Sequence, residues 1–309
     1  MRSVTGKGRL VALAAVAVGA TVALAGCASG DPLDDEPSSG DGGGETIVIG
    51  SQEYYSNEII AEIYAQALEA NGYTVQRDFN IGQREVYLPE LEAGNIDLFP
   101  EYTGNLLQYY VPDTTAKTSD DVYAELEGAL PDGLRVLDQS SATDQDSYNV
   151  TREFSDENGV TSLADLKDVS TPITLGGNAE LETRPYGPEG LQDVYGVEVG
   201  FTAIQDSGGA LTLKALTDGQ VQMVNIYSAD PNIATNDLVT LEDPEGLFLA
   251  SNVVPIASEK VTDEVAAIIN EVSAAMTAED LVQLNSESVN DQRSADDIAA
   301  DWLSEQGLA

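Results

Sequence analysis

From residue 46 onward, short runs of β-branched and aliphatic residues alternate with stretches in which apolar residues recur every three or four positions. The first alternation is the clearest. Residues 46–49, Thr-Ile-Val-Ile, predict a buried strand ended by Gly50. Ser56 then predicts a helix to about Ala70 that stacks Ile59, Ile60, Ile63, Tyr64, Ala67 and Leu68 on one face before Asn71 and Gly72 stop it. Strands over 73–79 and 96–100 and a short helix over 84–93 complete a β-α-β-α-β opening, which implies a parallel sheet with right-handed crossovers. A second set begins near Tyr148, with strands predicted at 172–175, 197–204 and 221–226 and helices at 187–195 and 210–216. The tail, 262–308, reads as interrupted helix with Ile298 and Leu303 sharing an apolar face near Trp302. No fixed period repeats. The expected architecture is α/β in two lobes, residues 46–145 with 250–309 forming one and residues 146–249 the other, the polar stretch 140–147 lying between them.

The N-terminus follows a different pattern. Arg2, Lys7 and Arg9 precede an apolar, acid-free run over 10–25 that is short for a permanent membrane helix, which needs about 20 apolar residues. This is the layout of a secretory signal over residues 1–26. Its end, Leu24-Ala25-Gly26-Cys27, resembles the bacterial lipobox. That resemblance implies cleavage before Cys27 and lipidation of its thiol, so the protein is expected outside the cell, anchored to the outer face of the cytoplasmic membrane. Residues 27–45, rich in Gly, Ser, Pro, Asp and Glu, read as a flexible acidic linker.

Composition narrows the chemistry. The chain carries 13 basic and 54 acidic residues, a net charge of −41, which disfavours a nucleic acid as partner. There is no His, and Cys27 is the only Cys, so a Ser-His-Asp triad, a Cys-His pair, a His-containing metal site and a disulfide are all excluded. No Gly-Lys-Ser/Thr loop follows a strand, and no dinucleotide fingerprint is present. With so many acids, no carboxylate pair stands out as a glycosidase would require. The chain is therefore expected to bind rather than to catalyse, without a cofactor or a metal. An exported lipid-anchored hydrolase and a purely structural lipoprotein are the competing readings.

Several local segments carry a resemblance. They are Gly50-Ser51-Gln52, the run 94–105 with its core Pro100-Glu101-Tyr102-Thr103-Gly104, the run 144–148, Arg184-Pro185-Tyr186-Gly187, and Val194-Tyr195-Gly196. Together they resemble the substrate-binding proteins of ABC importers for glycine betaine, choline and related quaternary amines, across 46–308. The resemblance implies a type II periplasmic-binding-protein fold with two interlobe crossovers. It also implies a ligand clamped in the cleft, partnership with permease and ATPase subunits, and a monomer.

A trimethylammonium group has no N–H to donate, so a protein holds it by dispersion and by the negative faces of aromatic rings. Strand ends facing an interlobe cleft are where such rings would stand. By the family's pattern Tyr102, Tyr148 and Tyr227 match cage positions; by composition alone each of the 13 tyrosines is more often a half-buried packing residue. Tyr54 or Tyr55 is a candidate further wall. For a carboxylate on the ligand the pattern indicates Arg184, with a salt bridge to Glu180 or Glu182 as the alternative. Arg84 is a second cation, with pairing to Glu85 or Asp97 as its alternative. The sequence departs from the pattern in having Gln52 where some members have lysine, Asn105 after the cage tyrosine, and Ala250-Ser251-Asn252 in place of an aromatic pair. These departures leave room for another small cationic or zwitterionic solute.

Overall fold

The structure, a computed structural model, describes residues 46–309; the proposed signal, Cys27 and the linker lie outside the described residues. The opening alternates β1 (Ile47–Gly50), α1 (Tyr55–Ala70), β2 (Val75–Asp78), α2 (Arg84–Glu92), β3 (Leu98–Tyr102), α3 (Thr103–Tyr110), α4 (Ser119–Ala129) and β4 (Leu134–Val136). Next come β5 (Tyr148–Thr151), α5 (Arg152–Asn158), β6 (Thr174–Gly177), α6 (Pro188–Tyr195), β7 (Gly200–Ala203), α7 (Ala210–Thr217), β8 (Met223–Asn225), α8 (Asn232–Thr235) and β9 (Leu238–Thr240). The chain ends with β10 (Val253–Ser258), α9 (Asp263–Ala275), α10 (Ala278–Val289) and α11 (Ala295–Gln306).

These strands form two five-stranded sheets, β2-β1-β3-β10-β4 and β7-β6-β8-β5-β9. This is the α/β architecture expected from the alternation, and the opening strands β1, β2 and β3 run parallel as expected. Each sheet as a whole is mixed: β10 runs antiparallel to β3 and β4, and β5 runs antiparallel to β8 and β9. Both reversed strands follow a passage between sheets, which brings the chain back from the opposite end. β10 lies outside the strands expected from the sequence, and Pro255 sits inside it. In the sheet Pro255 lies opposite Pro100 of β3, so the two residues that lack an N–H share one register position. β3 itself runs two residues past the expected Pro100, to Tyr102.

The apolar face predicted for α1 is fully buried and packs with β1, α9, α10 and α11, Trp302 and Leu303 included. The other face of that sheet is covered by Tyr87, Leu88 and Leu91 of α2 and by Leu106 and Leu107 of α3. In the second sheet Leu175 and Tyr148 lie on a core shared with Leu191 and Leu163.

The two passages between the sheets run side by side. Thr143 forms a bridge with Asn252, and the Asn252 side-chain amide donates to the Ser140 carbonyl at 3.0 Å. Both are seated on the first turn of α3. The Thr103 N–H donates to the Asn252 carbonyl at 2.9 Å, and the N–H groups of Gly104 and Asn105 point at the Ser251 hydroxyl. Gly104 is required by this closeness, since a Cβ there would stand 2.7 Å from the Ala250 carbonyl oxygen. The segment Ala250-Ser251-Asn252 thus supplies the cap of α3.

One buried ion pair fixes how α2 meets the end of β3. Arg84 Nε and Nη2 each donate to the Glu101 carboxylate at 2.8 Å, and the Tyr87 hydroxyl donates to the same group. Arg84 is therefore held by Glu101, not by Glu85 or Asp97; Asp97 instead receives the Val48 N–H and pairs with Lys260. Removing one partner of a buried pair leaves an uncompensated charge. Arg84→Met is expected to lower unfolding free energy by roughly 3–5 kcal/mol, read from urea unfolding midpoints, and adding Glu101→Gln to it is expected to recover most of that loss.

Candidate functional site

The carboxyl ends of β1, β3, β6 and β8 face one cavity. Ligands of open α/β sheets sit in such a place because strand-to-loop turns deliver side chains there without disturbing the sheet. Gln52 follows β1, Tyr102 ends β3, Asn178 follows β6, and Asn225 ends β8. Tyr54 and Arg84 complete the side belonging to the first sheet, and Leu181, Arg184, Tyr186 and Tyr227 the side belonging to the second.

Four tyrosines, Tyr54, Tyr102, Tyr186 and Tyr227, stand on the cavity. Tyr54 and Tyr227 come from opposite sides and their rings approach to 4.7 Å between centroids, tilted by 51°. Tyr102 is 5% exposed, and its hydroxyl has no hydrogen-bond partner. Tyr55 turns away from the cavity and donates to Asp230 at 3.1 Å. Tyr148, expected as a cage ring, does not line the cavity: it is fully buried in the core of the second lobe. Its hydroxyl donates to the Tyr186 carbonyl, and its ring packs edge-on to Phe248 at 5.0 Å, with Phe248 against Tyr186 at 5.8 Å. Tyr148 thereby props Tyr186, which does line the cavity.

Carboxylates meet these rings. Tyr54 donates to Asp144 at 3.0 Å, and the Ala229 N–H donates to the same carboxylate at 2.8 Å. Burial pushes Asp144 up to about 7. Asp146 accepts from the Asn105 side-chain amide, which also donates to the Tyr186 hydroxyl at 3.1 Å, so Asn105 bridges the two sides of the cavity. Asn105 is itself held by the Ser251 hydroxyl at 2.8 Å. Burial raises Asp146 as well.

The guanidinium groups are already engaged. Arg184 pairs with Glu85 across the cleft at 2.8 Å and lies 5.9 Å over the Tyr109 ring, rather than meeting Glu180 or Glu182. Arg84 is held by Glu101 as described above. By contrast, Gln52 Nε2, Tyr102 Oη, Asn225 Nδ2 and Glu180 Oε2 are buried without a hydrogen-bond partner, and all four residues line this cavity. Each such atom costs about 1–3 kcal/mol, a cost that a polar ligand in the cavity would remove.

Of the residues singled out from the sequence, Gln52, Tyr54, Tyr102, Asn105, Arg184 and Tyr227 lie on this one cavity and Tyr148 lies behind it. Sequence reasoning missed Asp144, Asp146, Asn178, Tyr186 and Asn225. A signal existed for two of them: in an extended passage, residues two apart face the same way, so Asp144 and Asp146 share a side. Tyr186 lies within the Arg184-Pro185-Tyr186-Gly187 segment, but only its packing on Phe248 sets its direction.

Comparison with known proteins agrees with this geometry. The family model described as the substrate binding domain of ABC-type glycine betaine transport systems matches residues 45–305. The chain is 25% identical over 277 residues to the glycine betaine-binding protein YehZ of Escherichia coli, covering 84% of this chain and 90% of that protein. It is 21% identical to the carnitine transport binding protein OpuCC of Listeria monocytogenes, covering 86% and 89%. Among solved structures it is similar to a glycine betaine/carnitine/choline ABC transporter structure (TM-score 0.69, 19% identity, 85% of this chain and 99% of that one). It is also similar to an ABC-transporter choline binding protein in complex with choline (TM-score 0.62, 16% identity, 85% and 89%). These likenesses establish the two-lobed binding-protein fold, and the family match, spanning most of the chain, identifies it as a member of the substrate-binding domains of ABC-type glycine betaine transport systems.

Proposed function

We propose that the cavity captures the alkylated ammonium head of a small solute and that closure of the lobes presents it to an ABC permease. The observation that carries this reading is the meeting of Tyr54, Tyr102 and Tyr227 with Asp144 and Asp146 around one cavity. Ring faces and carboxylates attract a cation that cannot donate a hydrogen bond, whereas water solvates such a group poorly. The solutes of the similar proteins, glycine betaine, carnitine and choline, all carry an alkylated ammonium head. The lobes of this reading are residues 46–145 with 250–309, and 146–249, and the protein works as a monomer held to the membrane by a lipid on Cys27.

Closure follows from groups that reach across. Asn105 bridges to Asp146 and Tyr186, Arg184 to Glu85, and Tyr54 to Tyr227. A solute touching both sides adds to these contacts only when the lobes are together, so it shifts the balance toward the closed form.

Single replacements test the walls. Tyr102→Ala and Tyr227→Ala are each expected to weaken binding of choline or glycine betaine by up to about thirtyfold, from a ring contribution of roughly 0.5–2 kcal/mol. Tyr102→Phe costs less, because it keeps the ring face that holds the ammonium head. Isothermal calorimetry decides this, and equal affinities for wild type and both alanine variants place the site elsewhere.

Acidity supplies a second test. Burial pushes the Asp144 carboxyl, which faces Tyr54, Tyr55, Tyr102 and Asp230, up to about 7. A bound cation favours its ionised form and lowers its pKa, so binding releases a proton below that pH. Affinity is therefore fully present above pH 7 and falls as pH drops through it, by up to about tenfold per unit. Calorimetry near pH 8 and near pH 6 reads the difference.

The anchor is tested separately. Mass spectrometry of the mature N-terminus is expected to find a diacylglycerol-modified Cys27, and Cys27→Ala is expected to abolish membrane attachment.

A further inference from the structure

We infer that the turn over residues 227–230 is a third connection between the two sheets, seated in the core of the first, and that Tyr55 and Asn285 are the positioning residues that hold Tyr227 in place before a solute arrives. The inference rests on the reading of the cavity given above and gives a role to two residues that do not line that cavity.

Chain order puts this turn with the second sheet, between β8 and β9. Its tip lies elsewhere. Ala229 is 2% exposed and belongs to the apolar core of the first sheet, together with Tyr102, Ala142 and Leu284. The Asp230 N–H closes the turn by donating to the Tyr227 carbonyl at 3.0 Å, so Tyr227 stands at the base of the inserted tip.

Polar contacts hold the tip from three sides. Asn285 of α10 donates its side-chain amide to the Ala229 carbonyl at 3.1 Å. Tyr55, the first residue of α1, donates to the Asp230 carboxylate at 3.1 Å, and the other oxygen of that group accepts the Asn232 N–H at 2.7 Å. The first passage between the sheets supplies the third side. The Ala229 N–H donates to Asp144 at 2.8 Å, the Ser228 N–H to the Gln145 carbonyl at 2.9 Å, and the Gln145 N–H to the Ser228 hydroxyl at 3.0 Å.

Asn285 separates this seat from ordinary packing. It is wholly buried, its side-chain amide bonds only to the Ala229 carbonyl among the described residues, and its Oδ1 has no partner. An aliphatic residue at that place on α10 would avoid a buried, unpaired acceptor. The turn it grips accounts for the amide.

Seating the tip changes what the solute has to do. A ring carried on a turn held only by its flanking strands is ordered at the expense of binding, whereas a ring fixed on folding is preorganised. Asp144 also accepts from Tyr54, whose ring meets Tyr227 at 4.7 Å between centroids, so the two rings are tied both by contact and through Asp144 and Ala229. When the lobes part, Tyr227 therefore stays beside Tyr54 and Tyr102, and Asn178, Leu181 and Tyr186 move away with the second sheet.

Two measurements test this, with choline and glycine betaine as probes. In hydrogen-exchange mass spectrometry of the wild-type protein, residues 227–230 are expected to exchange slowly without a probe and to change by less than about twofold when one is added, while residues 178–186 slow by about tenfold or more. A turn protected only in the presence of a probe leaves its seat in the free protein, which overturns the inference. In calorimetry, Tyr55→Phe, which removes only a hydroxyl, and Asn285→Ala are each expected to weaken binding of the tighter probe about three- to tenfold. In a Tyr227→Ala background each is expected to change affinity by less than about twofold, because a residue that acts through Tyr227 has nothing left to position. No loss in the wild-type background, or equal losses in both, overturns the positioning role and leaves the reading of the cavity standing. Tyr55→Phe keeps the test open if Asn285→Ala does not fold. Failure of both probes to bind wild-type protein overturns that reading and the positioning role with it.

Discussion

Glu101 lies at the end of a central strand with no exposure to water, and its charge has to be met inside the protein. Arg84 and Tyr87 meet it from two turns of α2, which docks that helix on the end of β3 and aims Tyr102 into the cavity. The same pairing consumes one of the two guanidinium groups within reach of a ligand. Much of the site's character follows from this one buried pair. It sets the cavity's edge, positions a ring, and leaves the remaining carboxylates without a counter-charge.

Around that pair the two passages between sheets act as a joint. Ser251 and Asn252 cap α3, and α3 carries Asn105 to Asp146 and Tyr186 on the far side. The residues that connect the sheets are thus the ones that orient a polar bridge across the cleft. The segment Ala250-Ser251-Asn252 serves backbone capping, and the rings of Tyr54 and Tyr227 meet across the cavity.

Tyr148, expected as a cage ring, acts at one remove. Its hydroxyl is used by the Tyr186 carbonyl and its ring by Phe248, so it shapes the cavity wall without touching the cavity. Arg184 illustrates the same point for charge. Local sequence placed acids at 180 and 182 beside it, yet its partner is Glu85, distant in the chain and contributed by the other side of the cleft.

What the sequence determined by itself was everything set by periodicity, composition and local motif. The alternation of β-branched runs with helical stretches specified an α/β chain in two parts, because burial of one face forces those periods on any sequence that folds so. The absence of His and the single Cys removed whole classes of chemistry, and the Pro-Glu-Tyr-Thr-Gly segment marked a strand end at the site. Tertiary structure alone decided which way each sheet reverses, that Pro255 could sit in a central strand by facing Pro100, and which of the many acids are buried on the cavity. It also decided that both guanidinium groups are already paired. The reason is physical: hydrophobic period is a property of neighbours in sequence, whereas ion pairs, ring contacts and the desolvation of a carboxylate depend on groups brought together from distant parts of the chain.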